Sequence, residues 1–242
     1  QDLPQRFFYA GPMFRYERPQ KGRLRQFHQI GIELVGAPEP EADVEAITVG
    51  ADILGGLGVL ADTSLELNTL GDRESRLTYR GVLVSFLEGH RGRLSQDSLM
   101  RLERNPMRIL DSKDEGDRAV VAEAPLLHEH LNQGSRDFFA RVLDGLDRLG
   151  IAYRLSPRLV RGLDYYTHTA FEFVTTALGA QGAVMAGGRY DGLMKEMGGP
   201  DIPGVGWAAG VERLVMLLPG TPAEAAPVAI VPIGAAAEAE AL

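Results

Sequence analysis

The sequence predicts an α+β fold, a mostly antiparallel sheet flanked by helices and interrupted by a helical insertion. Three observations predict it. Two strand-like segments, 7–17 and 25–35, flank a loop containing Pro19 and Gly22, the pattern of a long-looped hairpin. Residues 73–150 then change to helical periodicity, and strand signals return only after them. A doubly wound parallel sheet would alternate strand and helix more regularly.

Taken in order, the hairpin is followed by apolar residues at helical spacing from about Glu41 to Gly55, behind an acidic start near Pro40. The stretch "SLELNTLG" alternates like a strand. Within the helical block, "RLTYRGVLVSFLEGH", "DSLMRLERNPMRIL", "DRAVVAEAPLLHEHL" and "RDFFARVLDGLDRLG" carry helical periods separated by Gly, Asn, Pro or Asp. Strands are expected again at "AYRLSP", "HTAFEFVTT" and "GAVMAGG", and a closing helix at "WAAGVERLVMLL". The end, "VAIVPIGAAAEAEAL", reads as a strand and the first turns of a helix. The expected organisation is therefore a core in two parts, 1–72 and 151–222, the insertion 73–150 between them, and a further unit beginning at 227–242. The chain opens on strand-like sequence without a starting Met, so both ends are expected to be cut.

Composition narrows the class. The chain has no cysteine, which rules out disulfides and thiolate zinc sites and agrees with a reducing compartment, the cytoplasm by default, while suiting a periplasmic chain equally. No apolar run reaches membrane-spanning length, and the first residues lack the basic start and apolar middle of a signal peptide. The net charge is −8, yet Arg15, Arg18, Lys21, Arg23 and Arg25 stand within eleven residues beside a single acid, Glu17. An acidic body with one concentrated basic loop points to a focused anion site, for a polyphosphate or one end of a nucleic acid.

Three constellations carry possible chemistry. In the second strand Phe27, Gln29, Gly31 and Glu33 share one face, and His28, Ile30, Ile32 and Leu34 share the other. The aliphatic side is the core face. The opposite side offers a ring, an amide and a carboxylate around a glycine, expected to leave an unobstructed floor for a ligand. On spacing alone, solvent exposure of that face is the plainer explanation of the same residues. The second constellation, "RGLDYYTHTAFEF", places Arg161 ahead of Tyr165 and Tyr166. Arg161 suits a carboxylate or phosphate, and a surface pair with Asp164 is the plainer alternative. The third joins "AGGRYDG" to "GVERL", where glycines admit a phosphate and Arg213 reaches its end, although turns use the same residues. His128 and His130 point to different faces of a helical segment, which disfavours a metal pair, and no metal site is expected. The glycines at 55–58 lack the dinucleotide fingerprint, which argues against a phosphate-binding oxidoreductase.

In this order the three constellations resemble the catalytic region of histidyl-tRNA synthetases, class II aminoacyl-tRNA synthetases. "FRYERPQKGRLRQFHQIGIE" looks like their motif 2, "RGLDYYTHTAFEF" like their histidine signature and "GVGWAAGVERL" like motif 3. The resemblance implies that Arg15 grips the α-phosphate and substrate carboxylate, that Glu17 and Arg23 hold ATP, and that Phe27 stacks on adenine. It implies Gln29 at the histidine α-amino group, Glu33 and Tyr166 at the imidazole, and Tyr165 lining the pocket. Arg161 falls at the reacting carboxylate and α-phosphate, Arg213 at the γ-phosphate, and Arg18 and Gln20 near the tRNA acceptor end. The implied cofactors are ATP and Mg²⁺, and the implied partners are L-histidine, tRNA(His) and a second copy in a homodimer, with no membrane. The stretch from Pro227 is similar to the start of an anticodon-binding domain. The alternative is the synthetase-like regulatory subunit of ATP phosphoribosyltransferase, a non-enzyme of the same fold that tends to lose parts of the ATP and tRNA machinery.

Overall fold

The computed structural model describes residues 2–16, 18, 19, 23–161, 165–178, 182–218 and 220. Glu17, Gln20, Lys21 and the strand expected at 227–242 lie outside the described residues, as does Asp164.

Among the described residues, one seven-stranded sheet organises the fold. Its strands are β1 (Gln5–Phe14), β2 (Gln26–Val35), β3 (Ser64–Thr69), β4 (Arg154–Leu155), β5 (Thr167–Val174), β6 (Ala183–Arg189) and β7 (Gly204–Gly210), in the spatial order β1-β2-β7-β6-β5-β3-β4. All neighbours are antiparallel except the short β3–β4 pair, which is parallel. The hairpin register sets Tyr9 opposite Gly31 and Met13 opposite Phe27.

One expectation fails here. The stretch "WAAGVERLVMLL" is not a single helix: Trp207–Gly210 finishes β7 near the sheet centre, and the helix after it covers only Val211–Val215. A central strand covered on both faces loses the apolar–polar alternation that would separate it from a helix. Similarly, "AYRLSP" forms only a two-residue strand at the sheet edge.

Helix α1 (Glu41–Gly56) lies across the aliphatic face, burying Ile47, Ala51 and Leu54 with Leu34, Phe171, Phe173, Val205 and Trp207. The helical segment divides between two cores. Helices α2 (Arg73–Glu88), α3 (Gln96–Arg104) and α4 (Glu115–Ala122) bury Tyr79, Leu83, Leu87, Leu102, Ile109 and Val120 in a separate cluster. Helix α5 (Gln133–Arg148) instead sends Val142 and Leu146 into the first core beside α1. Each expected helix that contains a proline stops ahead of it, α3 before Pro106 and α4 before Pro125, since proline supplies no amide donor.

The smaller core is organised around Asp117. This fully buried carboxylate accepts hydrogen bonds from the hydroxyls of Ser95, Ser98 and Ser112 and from the Ser95 amide, at 2.6–2.8 Å. Burial alone would raise its pKa, but these donors outweigh burial and hold it down to about 2. A carboxylate held low stabilises the fold above its unfolded value near 4, and that stability is lost as pH falls from about 4 to about 2. Asp117→Asn should therefore flatten the acid limb of the melting temperature between those pH values. Asp117→Ala, which leaves one buried and two part-buried hydroxyls short of an acceptor, should cost about 2–3 kcal/mol at neutral pH in denaturant unfolding.

Candidate functional site

Two adjoining cavities open on the sheet face opposite α1. The first, of about 300 Å³, is lined by Tyr9, Glu33, Tyr165, Tyr166, Tyr190 and Arg161 among others. The second, of about 290 Å³, is lined by Arg15, Phe27, Gln29, Glu212, Arg213 and Arg161, with the β6 segment 183–186. Arg161, Ala186 and Ala208 belong to both walls. Strand alternation explains the arrangement: Phe27, Gln29 and Glu33 project from one side of β2, and Ala208 and Ala186 on β7 and β6 are small enough to leave space beside them.

The glycine floor differs from its expectation. Gly31 is not open, because the Tyr9 ring from β1 lies over it, and a Cβ there would stand 2.5 Å from the ring carbons. Gly31 is thus required by close packing, and Tyr9 forms part of the first cavity wall instead. Two of the three glycines of "AGGRYDG" likewise form no phosphate loop. Gly187 and Gly188 sit within β6, and a Cβ at Gly187 would overlap the Gly206 carbonyl of the neighbouring strand.

In the first cavity Glu33 accepts a hydrogen bond from the Tyr190 hydroxyl. Burial pushes the Glu33 carboxyl above its usual range, and the Tyr190 bond pulls it partly back. Tyr165 packs against Tyr166 with ring centroids 4.6 Å apart and planes tilted by 30°, and meets Tyr190 edge-on at 6.3 Å. The result is an aromatic cup with one carboxylate at its base, suited to a polar heterocycle that carries an N–H.

Arg161 projects between the cavities. It donates to Glu172 of β5, lies 5.3 Å from the Tyr166 ring centroid, and keeps its buried Nε without a hydrogen bond among the described residues. Burial pushes Glu172 up, and the Arg161 charge opposes this.

The second cavity gathers cations. The Arg15 guanidinium lies 4.0 Å from the Phe27 ring centroid while its Nε donates to the Leu24 carbonyl at 2.8 Å. Arg213 donates to the Ala183 carbonyl. Burial lowers the Arg213 pKa, and the nearby charges of Arg15 and Arg23 lower it further. Three guanidiniums close enough to repel form a site whose electrostatics improve when an anion enters. His28, on the opposite face, is an exposed residue held by Glu212: its amide donates to both carboxylate oxygens at 2.8 and 3.0 Å, and Nδ1 lies 3.0 Å from Oε1.

The structure thus brings together Arg15, Phe27, Gln29 and Arg213 around one cavity and Glu33, Tyr165 and Tyr166 around the other, with Arg161 shared. Gln29 faces the second cavity and is absent from the lining of the first. Arg23 lies near the cationic group without lining either cavity, and Arg18 is exposed beside neither. Sequence reasoning missed Tyr9, Glu172 and Tyr190. Alternation on β1 and β5 places the first two, whereas Tyr190 is hidden in a stretch that reads first for its glycines.

A family model described as histidyl-tRNA synthetase matches residues 1–214. The histidine–tRNA ligase of Rhodospirillum rubrum is 65% identical over 243 residues, covering 100% of this chain and 59% of that protein. That of Gluconacetobacter diazotrophicus is 60% identical over 234 residues, covering 97% and 56%. The chain therefore spans a little over half the length of these curated relatives. The crystal structure of apo histidyl-tRNA synthetase from S. aureus superposes with a TM-score of 0.72 at 36% identity, over 90% of this chain and 51% of that one. A structure described as an ATP phosphoribosyltransferase regulatory subunit/histidyl-tRNA synthetase from Bacillus halodurans shares the fold, with a TM-score of 0.58 at 22% identity, over 90% and 60%.

Proposed function

This chain belongs to the histidyl-tRNA synthetase family, and on that premise we propose that it supplies the catalytic region of a histidine–tRNA ligase. The observation that carries the reading is the shared wall at Arg161, where a carboxylate-floored aromatic cup meets a cation-lined cavity.

Histidine enters the first cavity with its imidazole toward Glu33 and Tyr166 and its carboxylate toward Arg161. ATP enters the second, its base on Phe27 and its phosphates among Arg15, Arg23 and Arg213. A histidine carboxylate oxygen then attacks the α-phosphorus; the bond to the β-phosphate oxygen breaks, giving histidyl adenylate and pyrophosphate. Bringing two anions together is the main obstacle, and the guanidiniums offset it while stabilising the charge that spreads over the phosphoryl oxygens. No general base is required, because the nucleophile is already ionised. Positioning supplies much of the rest. In the second step a terminal ribose hydroxyl of tRNA(His) attacks the adenylate carbonyl and AMP leaves, with Arg18 and Gln20 near the acceptor end.

Among the described residues no cluster of three or more His, Asp or Glu side chains forms a metal site of its own. Mg²⁺ characteristically takes one or two carboxylates and draws its remaining ligands from phosphates and water. Glu212 on the second cavity's wall is a hard oxygen donor of that kind. It would help hold an Mg²⁺ arriving with ATP, which would add charge neutralisation at the phosphates.

The arrangement also favours the ligase over the regulatory paralogue, since Arg15, Arg161 and Arg213 all reach the cavities. The proposal extends to a complete protein that is a cytoplasmic homodimer with an anticodon-binding domain from about residue 227. No helix among the described residues is long and apolar enough to cross a membrane. The test is ATP–pyrophosphate exchange by the complete protein with each amino acid in turn. Exchange dependent on histidine alone is the expected result; an inactive protein that instead stimulates a separate phosphoribosyltransferase would establish the regulatory reading.

A further inference from the structure

Tyr190 stands one residue beyond β6, where its amide donates to the Gly204 carbonyl at 2.8 Å. Its ring fills space left by Gly204, where a Cβ would overlap the ring, and its hydroxyl reaches Glu33, 157 residues away in sequence. Gly206 is shaped for the same contact from the other side: a Cβ there would overlap Glu33 Oε2. Two successive positions on one face of β7 are therefore bare so that a tyrosine and a carboxylate can meet.

Behind this turn lies a fully buried ion pair that the reaction does not use. Arg189, the last residue of β6, donates from Nε to Asp43 Oδ2 of α1 at 2.9 Å, and from Nη2 to the same oxygen. Nη2 also donates to the Glu39 carbonyl at 3.1 Å, and Nη1 to the Ala37 carbonyl at 3.0 Å and to Asp191 Oδ1 at 3.2 Å. All five donors of the guanidinium are thereby engaged, and its central carbon lies 5.1 Å from the Phe138 ring centroid of α5. Asp191 is held again at its amide by Thr167 Oγ1, 3.1 Å away, and accepts from the Gly204 amide at 3.3 Å. A buried pair of this kind adds little net stability over an apolar core, so its directional bonds matter more for the geometry they impose. Here they tie the turn carrying Tyr190 to α1, α5 and β5 at once.

We propose that Tyr190 is a positioning residue for histidine recognition, holding Glu33 Oε2 so that the other carboxylate oxygen faces the imidazole N–H, and that Arg189, Asp43, Asp191 and Thr167 form the relay that holds Tyr190. The inference rests on the reading of the first cavity as the histidine pocket and adds residues that act through Glu33 without touching the reacting atoms.

The pH dependence follows from the groups around Glu33. Tyr9 approaches from β1, Tyr190 from the end of β6, Tyr165, Tyr166 and Arg161 from the signature segment, and β7 contributes no titratable group. Burial raises Glu33, and the Tyr190 hydroxyl is the donor that pulls it back. Removing that hydroxyl moves Glu33 up, so the acid limb of kcat/KM for histidine shifts to higher pH.

The test uses the complete protein in histidine-dependent ATP–pyrophosphate exchange across pH, with calorimetric titration of histidine as a second readout and melting temperature as the folding control. Tyr190→Phe should raise the histidine KM about tenfold, leave the ATP KM unchanged and move the acid limb up by about half a pH unit or more. Asp43→Asn leaves a buried guanidinium undercompensated and risks misfolding, so Thr167→Val, nearly isosteric and outside both cavities, probes the relay. It should raise the histidine KM severalfold, and the double variant with Tyr190→Phe should be no worse than Tyr190→Phe alone. Unchanged histidine KM and pH profile in Tyr190→Phe overturn the positioning role, and multiplying effects in the double variant overturn the relay. A wild type that neither binds nor activates histidine removes the premise itself, which separates failure of the pocket assignment from failure of this inference.

Discussion

Arg161→Ala is expected to slow histidyl adenylate formation by about a hundredfold or more. The reason lies in where the guanidinium stands: on the wall common to both cavities, where the two anionic reactants must meet. A cation there is worth most where charge develops, in a site partly shielded from water, and so the loss falls mainly on the rate and less on binding of either substrate. Arg161→Lys is expected to recover only part of the rate, because an ammonium cannot reproduce the planar fork that bonds Glu172 and faces an incoming oxyanion together. The alanine variant also leaves Glu172 without the charge that opposes its burial, so a modest fall in melting temperature accompanies the kinetic loss. Exchange kinetics beside thermal melting separate the two effects. Normal exchange by Arg161→Ala would remove this residue from the chemistry.

The second large effect is expected at Glu33. Glu33→Gln keeps the size of the side chain but removes the charge, and one charge-assisted hydrogen bond to the imidazole is worth roughly 1.5–3 kcal/mol. Histidine KM should therefore rise about tenfold to a hundredfold while ATP KM stays within about twofold, because Glu33 lines only the first cavity. The neutral amide also carries no ionisation, so the acid limb assigned to Glu33 should disappear from the histidine profile. An equal loss of affinity for histidine and ATP would show that the two cavities are not separate substrate pockets.

Much of the site is legible from local pattern. The period of two along β2 assigns Phe27, Gln29 and Glu33 to one face and Ile30, Ile32 and Leu34 to the core, as found. The density of arginines between residues 15 and 25 marks an anion site, and Arg15 and Arg23 do converge with Arg213. These inferences hold because a strand's alternation and a cluster's charge are properties of neighbours in sequence.

What the sequence alone determined is therefore the class of the fold, the faces of its amphipathic strands and the residue types concentrated at the site. Only the tertiary structure decided which of those residues meet. The acid nearest to Arg161 in sequence is Asp164, yet Arg161 bonds Glu172 of β5. Asp43 reads locally as a favourable acid in the first turn of a helix, and folding buries it against Arg189, 146 residues on. Tyr190 finds Glu33 because β7 and β6, though last in sequence among the described strands, insert beside β2 in the sheet. That strand order is set by burying apolar faces against α1 and α5, a requirement summed over the whole chain, and no local period in the sequence encodes it.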